Sequence, residues 1–360
     1  MENLTITDTT DISQIKQAWQ QVQEQQPGIR IREAARQLGL SEGQLLATQV
    51  GQEAKRLLPN WSALLKRLPE LGRVMSLTRN DACVLEHKGA FEKVNVFGGG
   101  DHHMAVVLGP IETRVFLKSW YAGFAVHTVK GDRELTSLQI FDHEGQAITK
   151  IFLQPESDRE AYEKLLTDFT DPSQDPVFAM APYAPATYTE EVNQDAFLTD
   201  WANLKDTHDF FPMLRNHNVH RYHAVELAEG KFSYRIKVES VEAMLELASK
   251  EKLPIMVFAG NRGNLQIHQD KVRTIRMLER GHNGKEKWLN VLDPDFNMHL
   301  RIDMVTDVWV VVKPTEDGDV TALECYDANR ELVVQFFGLR KPGQNELTDW
   351  RSLVADLPRL

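Results

Sequence analysis

The sequence is short of cysteine, of long apolar runs and of positive charge, and each shortage removes a class of protein. Two cysteines, Cys83 and Cys325, in 360 residues are too few for a disulfide scaffold or a cysteine-rich zinc or iron–sulfur module. Uninterrupted apolar runs stop at five residues, Met104–Leu108 among them, so nothing approaches the ~20 residues of a membrane-spanning helix. Asp and Glu (52) outnumber Lys and Arg (41), leaving a net charge of −11, which disfavours general nucleic-acid binding. The opening MENLTITDTTDIS is acidic and polar. It lacks the basic-then-apolar pattern of a signal peptide and predicts a cytoplasmic location. What the chain does have is a 42% hydrophobic fraction, enough for real cores. Its length suits two ordinary domains or one internal duplication.

A repeat favours duplication. Residues 136–153, TSLQIFDHEGQAITKIFL, and 321–338, TALECYDANRELVVQFFG, both read as alternating strand, Asp-centred turn and alternating strand, a β-hairpin signal. At the same offset Phe124 meets Trp309, Gly123 meets Val308 and Arg114 meets His299. A period this long is a duplicated domain, not a solenoid. Residues 171–193 carry Pro172, Pro176, Pro182 and Pro185 without helical period, which predicts an extended linker. The expected organisation is therefore an N-terminal repeat over 1–170, a Pro-rich linker over 171–193 and a C-terminal repeat over 194–360.

Each repeat starts helical and turns strand-rich. The first reads as helices over about 12–24, 31–38, 41–58 and 61–68, strands from 73 to 153 and a closing helix over 159–167. The second reads as helices over about 194–204, 211–216, 221–227 and 241–250, strands from 255 to 337 and a closing helix over 346–355. Consecutive antiparallel strands followed by a helix predict an α+β fold.

Several segments carry potential chemistry. IREAARQLGLSEGQLLA, 31–47, has the form of a helix-turn-helix, with Gly39 at the turn and Ser41 as cap. Its second helix offers no cation before Lys55, so it reads better as packing than as DNA recognition. FGGGDHH, 97–103, lacks both P-loop and dinucleotide-fold spacing; it reads as a strand turn that leaves His102 and His103 available to a ligand. HNVHRYH puts His217, His220 and His223 at spacings of three, open to a metal or to solvent, with Asn218 able to interrupt the helix. His208, beside Phe210, Phe211 and Met213, is either a partly buried structural histidine or an axial nitrogen at an apolar wall, as haem requires. In IETRVFLKSW, strand alternation puts Arg114 and Phe116 on one face, as an exposed cation or as one aimed over a ligand.

The runs RNDACVLEHKG, RVFLKSW, LQIFDHEG, DTHDFFPMLRNHNVHR, VFAGNRGNLQI, WLNVLDPDFNMHL, VVKPTEDGDVTALECYD and FFGLR are together specific. On them the chain resembles the bacterial cytoplasmic hemin-degrading factors, or hemin transport proteins, of the HemS/ChuS/PhuS type. The resemblance spans nearly the whole chain. It implies two large antiparallel β-sheets, stacked, one per repeat, with helices packed at the ends and haem against the helices of the second repeat. It carries the axial iron ligand onto His208 and the distal arginine onto Arg114. It carries the propionate-side contacts onto Arg221, Lys313 and Arg340, with Gln335 nearby. Cations spread over several elements suit two carboxylates.

Two positions depart from the family. A histidine that contacts haem in some members aligns with Leu85, although His87 lies on the same strand face. A propionate-side tyrosine aligns with Phe337. The resemblance implies haem b as both substrate and cofactor. If the protein is an oxidoreductase that opens the ring to release iron, it also needs dioxygen or peroxide and an external electron donor, since no flavin or dinucleotide signature is present. The alternative is a carrier passing haem from a membrane importer to a separate haem oxygenase.

Overall fold

The computed structural model describes residues 11–100, 103–130, 133–189, 191–280, 284–341 and 343–360. Most of the N-terminal segment that bears on targeting, together with Asp101 and His102 of the Gly-rich loop, lies outside them. In chain order the elements begin with α1 (Ile12–Gln25), α2 (Ile31–Gln37), α3 (Glu42–Ala47), β1 (Ala54–Arg56), α4 (Trp61–Arg67), β2 (Val74–Arg79) and β3 (Cys83–Gly89). Next come β4 (Lys93–Phe97), β5 (Met104–Leu108), β6 (Glu112–Phe116), β7 (Ala122–Lys130), β8 (Arg133–Phe141), β9 (Ala147–Leu153) and α5 (Arg159–Phe169). Then follow α6 (Gln194–Ala202), α7 (Phe210–Asn216), α8 (Arg221–Leu227), β10 (Ser233–Ile236), α9 (Ser240–Lys250), β11 (Pro254–Gly260) and β12 (Asn264–Lys271). The chain closes with β13 (Ile275–Arg280), β14 (Glu286–Leu292), β15 (Phe296–Arg301), β16 (Val305–Lys313), β17 (Val320–Asp327), β18 (Leu332–Gly338) and α10 (Thr348–Ala355).

Among the described residues the strands form two nine-stranded sheets. The chain divides into two compact units. One is Met1–Thr78, His87–Ala184 and Asn261–Leu265; the other is Arg79–Glu86, Pro185–Gly260 and Gln266–Leu360. The first unit holds the strand run β1-β7-β8-β9-β2 and the meander β4-β5-β6; the second holds β10-β16-β17-β18-β11 and β13-β14-β15. The same antiparallel order therefore occurs twice, as the paired hairpins predict.

In the first unit, Leu64, Leu65, Leu138, Ile140, Leu165 and their neighbours bury the inner faces of α4, α5 and the sheet. In the second, α9 and α10 cover one face of the β16-β17-β18 run through Val241, Leu245, Trp350 and Val354 against Val310, Leu323 and Phe336. Helices α6–α8 cover the other face, packing Phe197, Trp201, Phe210 and Tyr222 on Trp309, Val311 and Tyr326.

The expectation of one sheet per repeat is not met, since each nine-stranded sheet takes strands from both halves of the sequence. Three further sequence expectations change. The helix read over 41–58 ends at Ala47, and Gly51 takes φ +83°. The chain then turns so that Ala54–Arg56 can pair with Phe124–Val126 of β7; strand pairing overrides helical period. The matching short edge strand β10, unread in the sequence, pairs with β16. The closing helix starts at Thr348, not at 346, because Glu346 is drawn away to accept from the Thr321 N–H (2.7 Å) and hydroxyl (2.8 Å).

Residues 171–189 carry no helix or strand. The part within the first unit is fastened to it. Arg56 donates to the Asp175 and Val177 carbonyls, the Ala181 N–H donates to the His143 carbonyl, and Phe178 packs edge-on to Tyr121 and Phe141. No helix among the described residues is long and apolar enough to cross a membrane.

Gly338 shows how tightly α10 sits. A Cβ there would stand 2.6 Å from Trp350 Cγ. Gly338→Ala should cost about 1–3 kcal/mol by overpacking, read as a lower midpoint in chemical denaturation; an unchanged midpoint would show that α10 can give way.

Candidate functional site

His208 sits on a tight turn built by two aspartates. The Asp206 side chain accepts from the His208 N–H (2.8 Å), and Asp209 accepts from the Asp206 N–H (3.0 Å). This reciprocal cap ends in a single 3-10 turn, Thr207–Asp209, that runs into α7. Pro212 falls in the first turn of α7, where its missing N–H costs nothing. The His208 side chain is 92% exposed, and its Nδ1 lies 2.5 Å from Asp206 Oδ1. The His208 backbone N–H, then the His208 ring and the Arg340 charge, hold the Asp206 carboxyl below its ordinary range. An ionised carboxylate only accepts, so Nδ1 carries the hydrogen of this contact. Metal-ligating histidines commonly have the other ring nitrogen oriented by a carboxylate in this way.

A buried charge cluster lies behind this turn. Strand alternation puts Trp309, Val311 and Lys313 of β16 on one face with Glu324 and Ala322 of β17 and Gln335 and Phe337 of β18. Glu324 is 0% exposed. Arg221 grips it bidentately, Nε–Oε2 at 2.9 Å and Nη2–Oε1 at 2.5 Å. Lys313 Nζ (3.4 Å), Gln335 Nε2 (2.9 Å) and the Tyr326 hydroxyl (2.5 Å) also donate to it.

Burial would push the Glu324 carboxyl up. The Arg221 and Lys313 charges, with hydrogen bonds from Arg221 and Tyr326, outweigh it and hold the group well below the usual carboxylate range. Burial pushes Lys313 down to about 8, against the pull of Glu324. Two cations and one carboxylate leave one positive charge in excess. The Arg221 guanidinium faces the Phe210 and Phe211 rings at 5.1 and 5.3 Å, and Lys313 Nζ faces Phe210 at 4.4 Å.

Of the residues singled out in this unit, Arg221, Lys313 and Gln335 thus meet, but on an internal carboxylate. Phe337 is buried two residues beyond Gln335, its ring 5.0 Å from that of Phe258. Arg340 pairs with Asp317 at 3.2 Å. Glu324, Tyr326 and Asp206 escaped the sequence reading. The available signal was a glutamate between Leu323 and Cys325 in an otherwise apolar strand, which demands a buried partner.

In the first unit, Arg114 lies on the outer face of the β4-β5-β6 meander. Register aligns Asn95, Val106 and Arg114 in one row, and Phe97, Met104 and Phe116 in the next. The face mixes apolar and polar side chains, with Phe97 and Phe116 exposed. Arg114 itself is 28% exposed and pairs with Glu112 at 3.0 Å. Its Nη1 is buried with no hydrogen-bond partner among the described residues. A cation rooted beside an apolar row differs from an ordinary surface arginine.

Several of the remaining candidates make structural contacts. HNVHRYH is broken by Asn218 at φ +48°. His217 closes α7 and bonds Asp200 (2.7 Å), while His220 caps α8. No His/Cys/Asp/Glu group able to hold a metal is found among the described residues. His103 Nε2 lies 2.8 Å from Ser62 Oγ, tying the Gly-rich loop to α4. His87 is buried. Every residue of α3 is buried, so the helix-turn-helix presents no recognition face.

The haemin-degrading HemS.ChuX domain family matches twice, over residues 39–169 and 218–357. The chain is 32% identical over 346 residues to the hemin transport protein HmuS of Yersinia pestis, covering 95% of this chain and 96% of that one. It superposes on holo-PhuS, a heme-binding protein from Pseudomonas aeruginosa, with TM-score 0.92 and 40% identity over 97% of this chain and 99% of that one. For ChuS, described as an E. coli heme oxygenase, the values are 0.84, 28%, 95% and 99%. With its duplicated sheet order and both repeats matched, the chain belongs to the haemin-degrading HemS.ChuX domain family.

Proposed function

We propose that this protein binds haem b in the cytoplasm, holds its iron through His208 and opens the ring oxidatively to release iron. The observation that carries the proposal is the exposed His208 imidazole, whose Nδ1 is engaged by Asp206 so that its Nε2 edge is open. The residues present suit the ligand. Arg221, Lys313 and Arg340 supply cations for two propionates, with Gln335 beside them, and the surplus positive charge of the Glu324 cluster favours an anion. Phe337 adds apolar surface where the family has a tyrosine, so one hydroxyl contact is missing. Arg114, beside its apolar row, is assigned to the distal side, where a fixed guanidinium stabilises negative charge developing in the reaction.

When bound, haem supplies the iron chemistry that turns dioxygen or peroxide against its own macrocycle; reducing equivalents come from an external donor. The description of one relative as a heme oxygenase supports this reading. The description of another as a hemin transport protein supports a carrier that takes haem from a membrane importer and passes it to a separate oxygenase. The two separate in one assay. Haem-loaded protein given a reductant and catalase should lose its Soret band and yield a defined tetrapyrrole product. A persistent haem spectrum would favour the carrier, and bleaching abolished by catalase would indicate incidental peroxide chemistry.

His208→Ala should abolish the axial-imidazole signature in the optical and electron paramagnetic resonance spectra; an unchanged spectrum would move the ligand elsewhere. Arg114→Ala should slow ring opening more than it weakens haem binding. Equal loss of both would remove Arg114 from the chemistry.

Haem affinity should also follow Lys313. This group is charged below about 8 and neutral above it. The positive surplus, and with it the affinity for a dicarboxylate ligand, should fall as pH rises through that value. Haemin titrations at pH 7 and 9.5 check this, and Lys313→Met should flatten the dependence.

A further inference from the structure

We propose that Glu324 is a positioning residue for the haem-ligating histidine, acting through Arg221, Lys313 and the Phe210 ring; the inference rests on the assignment of His208 as axial ligand. An imidazole that is 92% exposed has almost no packing to hold it, so its place is set by the backbone that carries it. That backbone is the Asp206–Asp209 turn, and it continues directly into Phe210, the first residue of α7.

Phe210 is anchored firmly. It is 1% exposed, meets Trp201 edge-on at 4.7 Å and receives Lys313 and Arg221 on its ring at 4.4 and 5.1 Å. Phe211, one residue on, is 60% exposed and touches the same guanidinium at 5.3 Å. Both cations owe their positions to Glu324. The bidentate grip fixes the plane of the Arg221 guanidinium, and the carboxylate keeps Lys313 charged although buried. The chain of contact runs from Glu324 to the cations, from the cations to Phe210, and from Phe210 through two peptide units to His208.

An apolar residue at position 324 would fill the space more cheaply than a fully buried carboxylate. The charge is justified if the cations must stay charged and in place. Neutralising Glu324 leaves two like charges together. Lys313 then sheds its proton or both move, and the faces of Phe210 lose their partners.

The test uses the full chain with haemin. Glu324→Gln should leave far-UV circular dichroism of the apoprotein unchanged and raise the haem Kd at least about tenfold. At saturating haemin it should also shift part of the complex away from the imidazole-ligated signature. Glu324→Asp, which keeps the charge, should recover part of the native spectrum. Phe210→Leu, which keeps apolar bulk but removes the ring, should reproduce the spectral shift with the cluster intact.

A role in folding alone would lower the Tm of Glu324→Gln while its saturated spectrum and Kd stayed native, and that result overturns the proposal. Should Glu324→Gln not fold, Phe210→Leu decides, and a native saturated spectrum there overturns it equally. His208→Ala separates the two levels. If it retains the native spectrum, the axial assignment itself fails. If it loses the signature while Glu324→Gln and Phe210→Leu remain native, only the role of Glu324 falls.

Discussion

The second unit is organised around a carboxylate with no access to water. Glu324 stands in the middle strand of the β16-β17-β18 run and draws donors from α8, β16, β17 and β18. Leaving such a group unpaired would be strongly destabilising, so these elements must meet at one point. The consequence reaches beyond the ion pairs. The cations that neutralise Glu324 also face the aromatic start of α7, and the turn that begins α7 carries His208. The residues that neutralise the buried carboxylate thus also touch the residue that follows the His208 turn.

Duplication supplied two copies of one scaffold, and the copies have diverged in chemistry. Arg114 of β6 and His299 of β15 hold corresponding positions. Around Arg114 the sheet face carries an apolar row, Phe97, Met104 and Phe116. Around His299 it is polar: the ring bonds Asn290 at 2.6 Å, and nearby Arg301 lies over Trp288 and pairs with Asp303. The same strand order thus supports different surfaces, because alternate side chains of a strand can change without disturbing the opposite, core-facing set.

Much of the architecture was legible in the sequence. The hairpin repeats gave β8–β9 and β17–β18, and the helical periods located α1, α2, α4, α8 and α9 to within a residue or two. These signals are local: a period and a cap are written in adjacent residues. The short edge strands β1 and β10 were not legible, since each is three or four residues long and exists by pairing with a distant strand. The end of α3 was missed for the same reason.

For the site, the residue pattern by itself offered a histidine among aromatics and an arginine in an alternating strand, each with a plain structural alternative; the cations Arg221, Lys313 and Arg340 came only with the family resemblance. Only the tertiary structure decided what each was free to do. Asp206 engages Nδ1 of His208, because a carboxylate two residues away folds back onto the ring. Glu324 claims Arg221 and Lys313, which lie 103 and 11 residues from it, and leaves one positive charge in surplus. Residue types are local properties, whereas protonation state, pairing and net charge follow from which groups the fold brings together out of water.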